Sequence, residues 1–152
     1  MTYTFAMNTP TLLKIDPQQD IASQLRKVGI TPTQQRVQIA EILFSRPRHM
    51  SADQVLAVVN RDGPIASKAT IYNTLGLFAR KGLLREVIVD PSKVFYDSNT
   101  AVHHHFFNVD TGELTDIPSD DLILTRMPEL PEGTESVGID VIFRIRSRDA
   151  AH

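Results

Sequence analysis

The chain has 152 residues, is 41% hydrophobic, carries a net charge of −2 and contains no cysteine. This supports one ordinary domain or two small ones with a packed core, and it excludes disulfides, thiolate zinc clusters, a Cys nucleophile and a Cys haem ligand. No apolar run approaches the roughly 18 residues a membrane span needs, and the start MTYTFAMNTP lacks a basic segment followed by an apolar one, so a cytoplasmic protein with no membrane partner is expected.

Residues 1–15 show no period and are expected to form a flexible N-terminal arm. Asp16-Pro17-Gln18-Gln19 reads as a helix start, with Asp as cap and Pro at the first helical position. Ile21, Leu25 and Val28 follow at helical spacing, and Gly29 stops the helix. Thr31-Pro32-Thr33-Gln34 repeats the signature. Val37, Ile39, Ala40, Leu43 and Phe44 then give a second amphipathic helix that ends near Pro47. Ser51-Ala52-Asp53-Gln54 is a capping box for a short third helix, broken at Gly63-Pro64. A fourth helix is predicted from Ser67 to Lys81, with Ile71, Leu75 and Phe78 as its buried stripe and Gly82 as its stop.

A hairpin pattern follows: Leu84 to Val89, a turn over Asp90-Pro91-Ser92-Lys93, then Val94 to Asp97. Three helices, a polar-faced fourth helix and a hairpin form the order of a winged helix-turn-helix, here residues 16–98. Residues 99–152 read mostly as strands: His103 to Val109, a turn at Thr111-Gly112, and Glu113 to Ile117. A short helix is predicted over Asp120 to Met127. The last strand alternates strictly, with Val137, Ile139, Val141, Phe143 and Ile145 on one face. The fold class expected is α+β: a winged helix followed by a small α/β domain.

The net charge hides a split. Through Val89 there are eleven Lys and Arg against six Asp and Glu, a balance of +5. From Asp90 onward there are five against twelve, a balance of −7. A basic first part suits phosphates and an acidic second part suits a cation. The fourth helix offers Ser67, Lys68, Thr70, Tyr72, Asn73, Arg80 and Lys81 on its polar faces, the side-chain types that meet base edges and phosphates in a major groove. Arg36 on the second helix and Lys93 at the hairpin tip are further phosphate anchors. The alternative for such a face is plain solvation; its place between capped helices and a hairpin favours double-stranded DNA.

Three of the five histidines are consecutive, His103-His104-His105. In an extended segment His103 and His105 share one face and His104 takes the other. Two imidazoles on one face are a ligand pair for iron, zinc or a haem iron; the bland reading is a polar surface run. Ala101-Val102 before and Phe106-Phe107 after argue against a tag remnant.

Gly29-Ile30-Thr31-Pro32-Thr33-Gln34-Gln35-Arg36, Ser51-Ala52-Asp53, Ala69-Thr70-Ile71-Tyr72-Asn73-Thr74-Leu75 and Gly82-Leu83-Leu84 resemble the ferric uptake regulator (Fur) family in order and spacing. His103-His104-His105-Phe106, Met127-Pro128-Glu129-Leu130-Pro131-Glu132-Gly133 and Ile139-Asp140-Val141 resemble its iron response regulator branch. The resemblance covers residues 20–147. It implies a dimeric, non-enzymatic repressor or activator of iron homeostasis that binds operator DNA; dimers of the family also pair into tetramers. It implies a hinge metal site at His49, Asp97, His103 and His105 for Fe²⁺ or Mn²⁺, with Zn²⁺ acceptable in vitro. It implies a second site, with His104, Asp116, Asp121 and Asp140 as candidates and the register between Asp120 and Asp121 unresolved. Where many relatives carry Cys pairs for a structural zinc, this chain has Asn108 and Thr111. The branch also implies haem, which without Cys would need His103, His104 and His105.

Two other functions compete. One is a peroxide-sensing or divalent-metal (Mn or Zn) sensing repressor on the same fold. The other is a metalloenzyme, because His-x-His with carboxylates on strands also describes small β-barrel oxygenases; the helical, basic first half opposes it.

Overall fold

A computed structural model describes residues 14–46 and 49–148, and the chain divides into two compact units, Met1–Ala101 and Val102–His152. Residues 1–13 of the expected arm lie outside the described residues. Ile15, assigned to that arm, is instead only 7% exposed and belongs to the core of the first unit.

The first unit holds four helices: α1 (Ile21–Lys27), α2 (Gln34–Phe44), α3 (Ala52–Val59) and α4 (Lys68–Arg80). It also holds β1 (His49–Ser51), β2 (Arg85–Asp90) and β3 (Lys93–Asp97), paired antiparallel in the order β1-β3-β2. Helix α1 starts later than the sequence suggests. Asp16 closes a turn instead, its Oδ1 accepting from the Gln18 N–H at 2.9 Å, while Gln24 bonds both the N–H and the carbonyl of Asp16. Thr33, not Thr31, caps α2, its Oγ1 accepting from the Arg36 N–H. The capping box at Ser51 and Gln54 forms in both directions. Ser67 caps α4 through the Thr70 N–H.

Helices α1 and α4 end alike. Gly29 and Gly82 adopt φ of 80° and 77°. The next residue's N–H then reaches back to the last turn, Ile30 to the Leu25 carbonyl and Leu83 to the Phe78 carbonyl, each at 2.9 Å. In both motifs the two apolar partners are buried. The core gathers Leu25, Ile39, Leu43, Val55, Ile71, Leu75 and Phe78, with the Phe44 and Phe78 rings 6.2 Å apart. This packing leaves Tyr72 and Asn73 of α4 facing solvent.

The second unit has β4 (His105–Asn108), β5 (Leu114–Asp116) and β6 (Ile142–Ile145), in the order β5-β4-β6. Strands β4 and β5 form an antiparallel hairpin, and β6 runs parallel to β4. The helix expected over Asp120 to Met127 does not form, and the described residues of this unit contain no helix. The Asp121 N–H closes a turn onto the Pro118 carbonyl, and nearly every residue from 118 to 140 is exposed. A helix this short needs a surface to bury against, and the described residues of the chain supply none. The strand expected from Val137 is regular only over Ile142–Ile145, because β4 offers four residues to pair with.

Candidate metal centre and nucleic-acid interface

Register places the histidines. His105 opens β4 and stands opposite Asp116, the last residue of β5. Directly opposed residues of an antiparallel pair share a face, so the Asp116 carboxylate points to the His105 side. His103, two residues earlier in extended chain, joins that face. The Nε2 atoms of His103 and His105 lie 3.4 and 3.3 Å from the same oxygen, Oδ1 of Asp116. The two rings are 4.5 Å apart between centroids and tilted by 59°.

These separations decide what the trio suits. They are long for direct hydrogen bonds. Ligands about 2.0–2.1 Å from a tetrahedral ion sit roughly 3.3 Å from one another. Two imidazoles and a carboxylate spaced this way fit a divalent transition metal. His105 is fully buried, the His103 side chain is 9% exposed, and Asp116 is 53% exposed, so the trio has a dry floor and an open side.

His104 takes the opposite face, as alternation requires. Its Nδ1 accepts the Val141 N–H at 3.1 Å, and its carbonyl accepts the Ile117 N–H at 2.8 Å. Of the second-site candidates, Asp116 lies with the other two histidines, because the hairpin register turns it that way. Asp121 and Asp140 are exposed and join no such group among the described residues, and Asp120 is exposed as well. Asn108 and Thr111 form a hydrogen-bonded turn: Asn108 Oδ1 accepts the Asp110 and Thr111 N–H groups, and its Nδ2 donates to Ser147 Oγ. Phe107 is 4% exposed in the unit's interior, and Phe106 packs on Phe143 at 5.9 Å.

In the first unit His49 and Asp97 also face each other, as partners across β1 and β3. Asp97 is 1% exposed and its Oδ1 accepts the Asn99 N–H at 2.8 Å. The sequence carried no signal for β1; the pairing of His49 with Asp97 appears only in the fold.

The predicted DNA face divides. Tyr72 (45% exposed), Asn73 and Arg80 on α4, and Lys93 at the hairpin tip, are open to solvent. Lys68 lies 3.7 Å from Asp53 and 5.8 Å from the Tyr72 ring centre. Ser67 caps the helix by accepting the Thr70 N–H, and the two hydroxyls bond each other at 3.0 Å. Arg36 donates to the Thr31 carbonyl at 2.8 Å, which ties down the loop before α2. The Asp53 partner of Lys68 was missed, because its position in a capping box already explained it. At the hairpin turn the Ser92 hydroxyl and N–H hold the Asp90 carboxylate below its ordinary range, shaping the loop that presents Lys93.

Comparison with known proteins agrees with this architecture. The profile of the Ferric uptake regulator family matches residues 27–143. The chain is 36% identical over 99 residues to the peroxide-responsive repressor PerR of Staphylococcus aureus, covering 65% of this chain and 66% of that protein. The match thus spans just under two thirds of that relative's length. The manganese-containing ferric uptake regulator of Pseudomonas aeruginosa superposes with a TM-score of 0.61 at 27% identity, over 84% of this chain and 97% of that one. The Vibrio cholerae ferric uptake regulator shares the fold with a TM-score of 0.65 at 20% identity, over 84% and 100%. Among the described residues no helix is long and apolar enough to cross a membrane. The chain belongs to the ferric uptake regulator family, whose members are transcriptional regulators and not enzymes.

Proposed function

We propose that this protein is a metal-responsive transcriptional regulator that binds double-stranded operator DNA as a homodimer. The observation that carries this is the convergence of His103 and His105 on one oxygen of Asp116 in the acidic unit. The basic unit supplies the DNA face: α4 reads the groove through Tyr72 and Asn73, while Lys68, Arg80 and Lys93 meet phosphates. Ser67 and Thr70 set the first turn of that helix, and Arg36 the loop before α2.

His103, His105 and Asp116 hold Fe²⁺ or Mn²⁺, with Zn²⁺ as a substitute in vitro. Asp97 and His49 complete the coordination from the other side of the hinge. Their donor types suit the ion, and Asp97 ends the strand that leads into the second unit. When bound, the ion supplies a charge centre whose binding energy selects one arrangement of the units. Iron status is the signal under this reading. Haem on the same histidines fits less well, because His105 and Phe107 are buried and a porphyrin needs an open face. A Mn²⁺ titration watched by DNA anisotropy tests the proposal: DNA affinity changes with the metal in the native chain and not in His103→Ala with Asp116→Asn.

A second reading is peroxide sensing, favoured by the identity to PerR. There iron held by the same residues would supply the redox chemistry through which peroxide oxidises a ligand histidine. Mass spectrometry after peroxide treatment separates the two, since a gain of one oxygen at His49, His103 or His105 supports peroxide sensing.

A further inference from the structure

The eight-residue step from α3 into α4 contains an unusual hydrogen-bond clasp. Asn60, the C-cap that directly follows α3, turns its side-chain amide onto the peptide units just before α4. Its Oδ1 accepts from the N–H groups of Ile65 and Ala66 at 2.9 and 3.0 Å, and its Nδ2 donates to the Ala66 carbonyl at 2.8 Å. The Asn60 carbonyl also accepts the Gly63 N–H at 3.2 Å. From α2, the Gln35 Nε2 donates to the Ile65 carbonyl at 2.9 Å. Two side chains from two helices thus fix three consecutive peptide groups, and the next residue is Ser67, the cap of α4.

The chemistry asks for an amide at position 60. One side chain must accept two N–H groups and donate to a carbonyl, and only Asn and Gln carry both functions on a planar head. Asp would set a carboxylate against the Ala66 carbonyl, and Ala would leave all three groups without this partner. Ala66 is 7% exposed, so its peptide groups have limited recourse to water.

We propose that Asn60 and Gln35 are positioning residues for sequence reading by α4: neither meets DNA, and together they aim the start of that helix and with it Tyr72 and Asn73 one turn further on. This rests on the reading of α4 as the groove-entering helix. Sequence discrimination depends on base-edge contacts held to within a fraction of an ångström, whereas phosphate contacts on flexible lysines tolerate a small rotation. Loosening the clasp should therefore lower discrimination more than total affinity.

The test uses the metal-loaded full chain. A duplex selected by the native protein from a random pool is compared with a scrambled duplex of the same composition. Asn60→Ala is expected to reduce the ratio of the two affinities by about fivefold or more, within the range of losing one good base contact, with an unchanged slope of affinity against salt. Gln35→Ala, which removes one bond, should move the ratio the same way and less, and it keeps the test alive if Asn60→Ala does not fold. A merely structural role would lower the active fraction and weaken both duplexes equally, leaving the ratio intact. An intact ratio in both variants overturns the proposal. A native protein with no preference among duplexes overturns the reading of α4 and the clasp with it.

Discussion

His105 and Asp116 are partners across the β4–β5 hairpin, and their side chains meet at 3.3 Å between Nε2 and Oδ1. His103 reaches the same oxygen from two residues upstream. A three-residue extended stretch and one hairpin register are thus enough to gather three donor groups. The predicted consequence is that His103→Ala and Asp116→Asn each weaken Mn²⁺ binding by more than about tenfold, since each removes one donor of a small set. Isothermal titration with thermal unfolding beside it checks this. His103 and Asp116 are preferred over the fully buried His105, whose loss would also open a cavity.

Arg80 and Lys93 are exposed on the α4 side and at the hairpin tip. If each meets one phosphate, Arg80→Ala and Lys93→Ala weaken binding to all duplexes alike and lower the salt slope by about one unit each. Asn73→Ala instead costs about 1–3 kcal/mol on the preferred duplex alone if it reads a base edge. Anisotropy at several salt concentrations separates the two patterns.

Phe78 is fully buried between α4 and the other helices, and its carbonyl anchors the turn at Leu83. Phe78→Ala should destabilise the first unit by about 3–5 kcal/mol. Ser51→Ala, which removes one half of the capping box at α3, should cost about 1 kcal/mol. Urea unfolding at fixed metal concentration measures both.

Much of this was legible before the fold. The glycine stops at Gly29 and Gly82, the box at Ser51 and the stripe Ile71, Leu75 and Phe78 are local signals, and local signals survive folding. The split of the histidines into a pair and a single residue was equally local, because it needs only the alternation of an extended chain. The pairing of Asp116 with His105 follows from hairpin register, which a turn at Thr111-Gly112 sets. Strand β1 could not be read, because three residues carry no period and exist as a strand only through pairing with β3. The helix expected over Asp120 to Met127 failed for the converse reason: a helical pattern needs a surface to cover.

Tyr96 gives a pH dependence. Burial first, then the charges of Glu86 opposite it and of Tyr72, push its phenol above the ordinary value of 10.0. The folded chain then keeps a proton that the unfolded chain has released. This contribution is complete below the unfolded value and is lost as pH rises through the folded one. Urea midpoints measured from about pH 9 to 11 should fall more steeply in the native chain than in Tyr96→Phe.

Under the proposed function an ion held by His103, His105 and Asp116 governs DNA binding. The most direct measurement is DNA affinity by anisotropy on the selected duplex, for metal-free and Mn²⁺-loaded chains, with metal content determined in each sample. At least about a fivefold difference between the two forms is expected, the lower end of typical coupling energies, and it should disappear in His103→Ala with Asp116→Asn. Equal affinities for metal-free and metal-loaded native protein, or a difference that persists in that double variant, would contradict that reading.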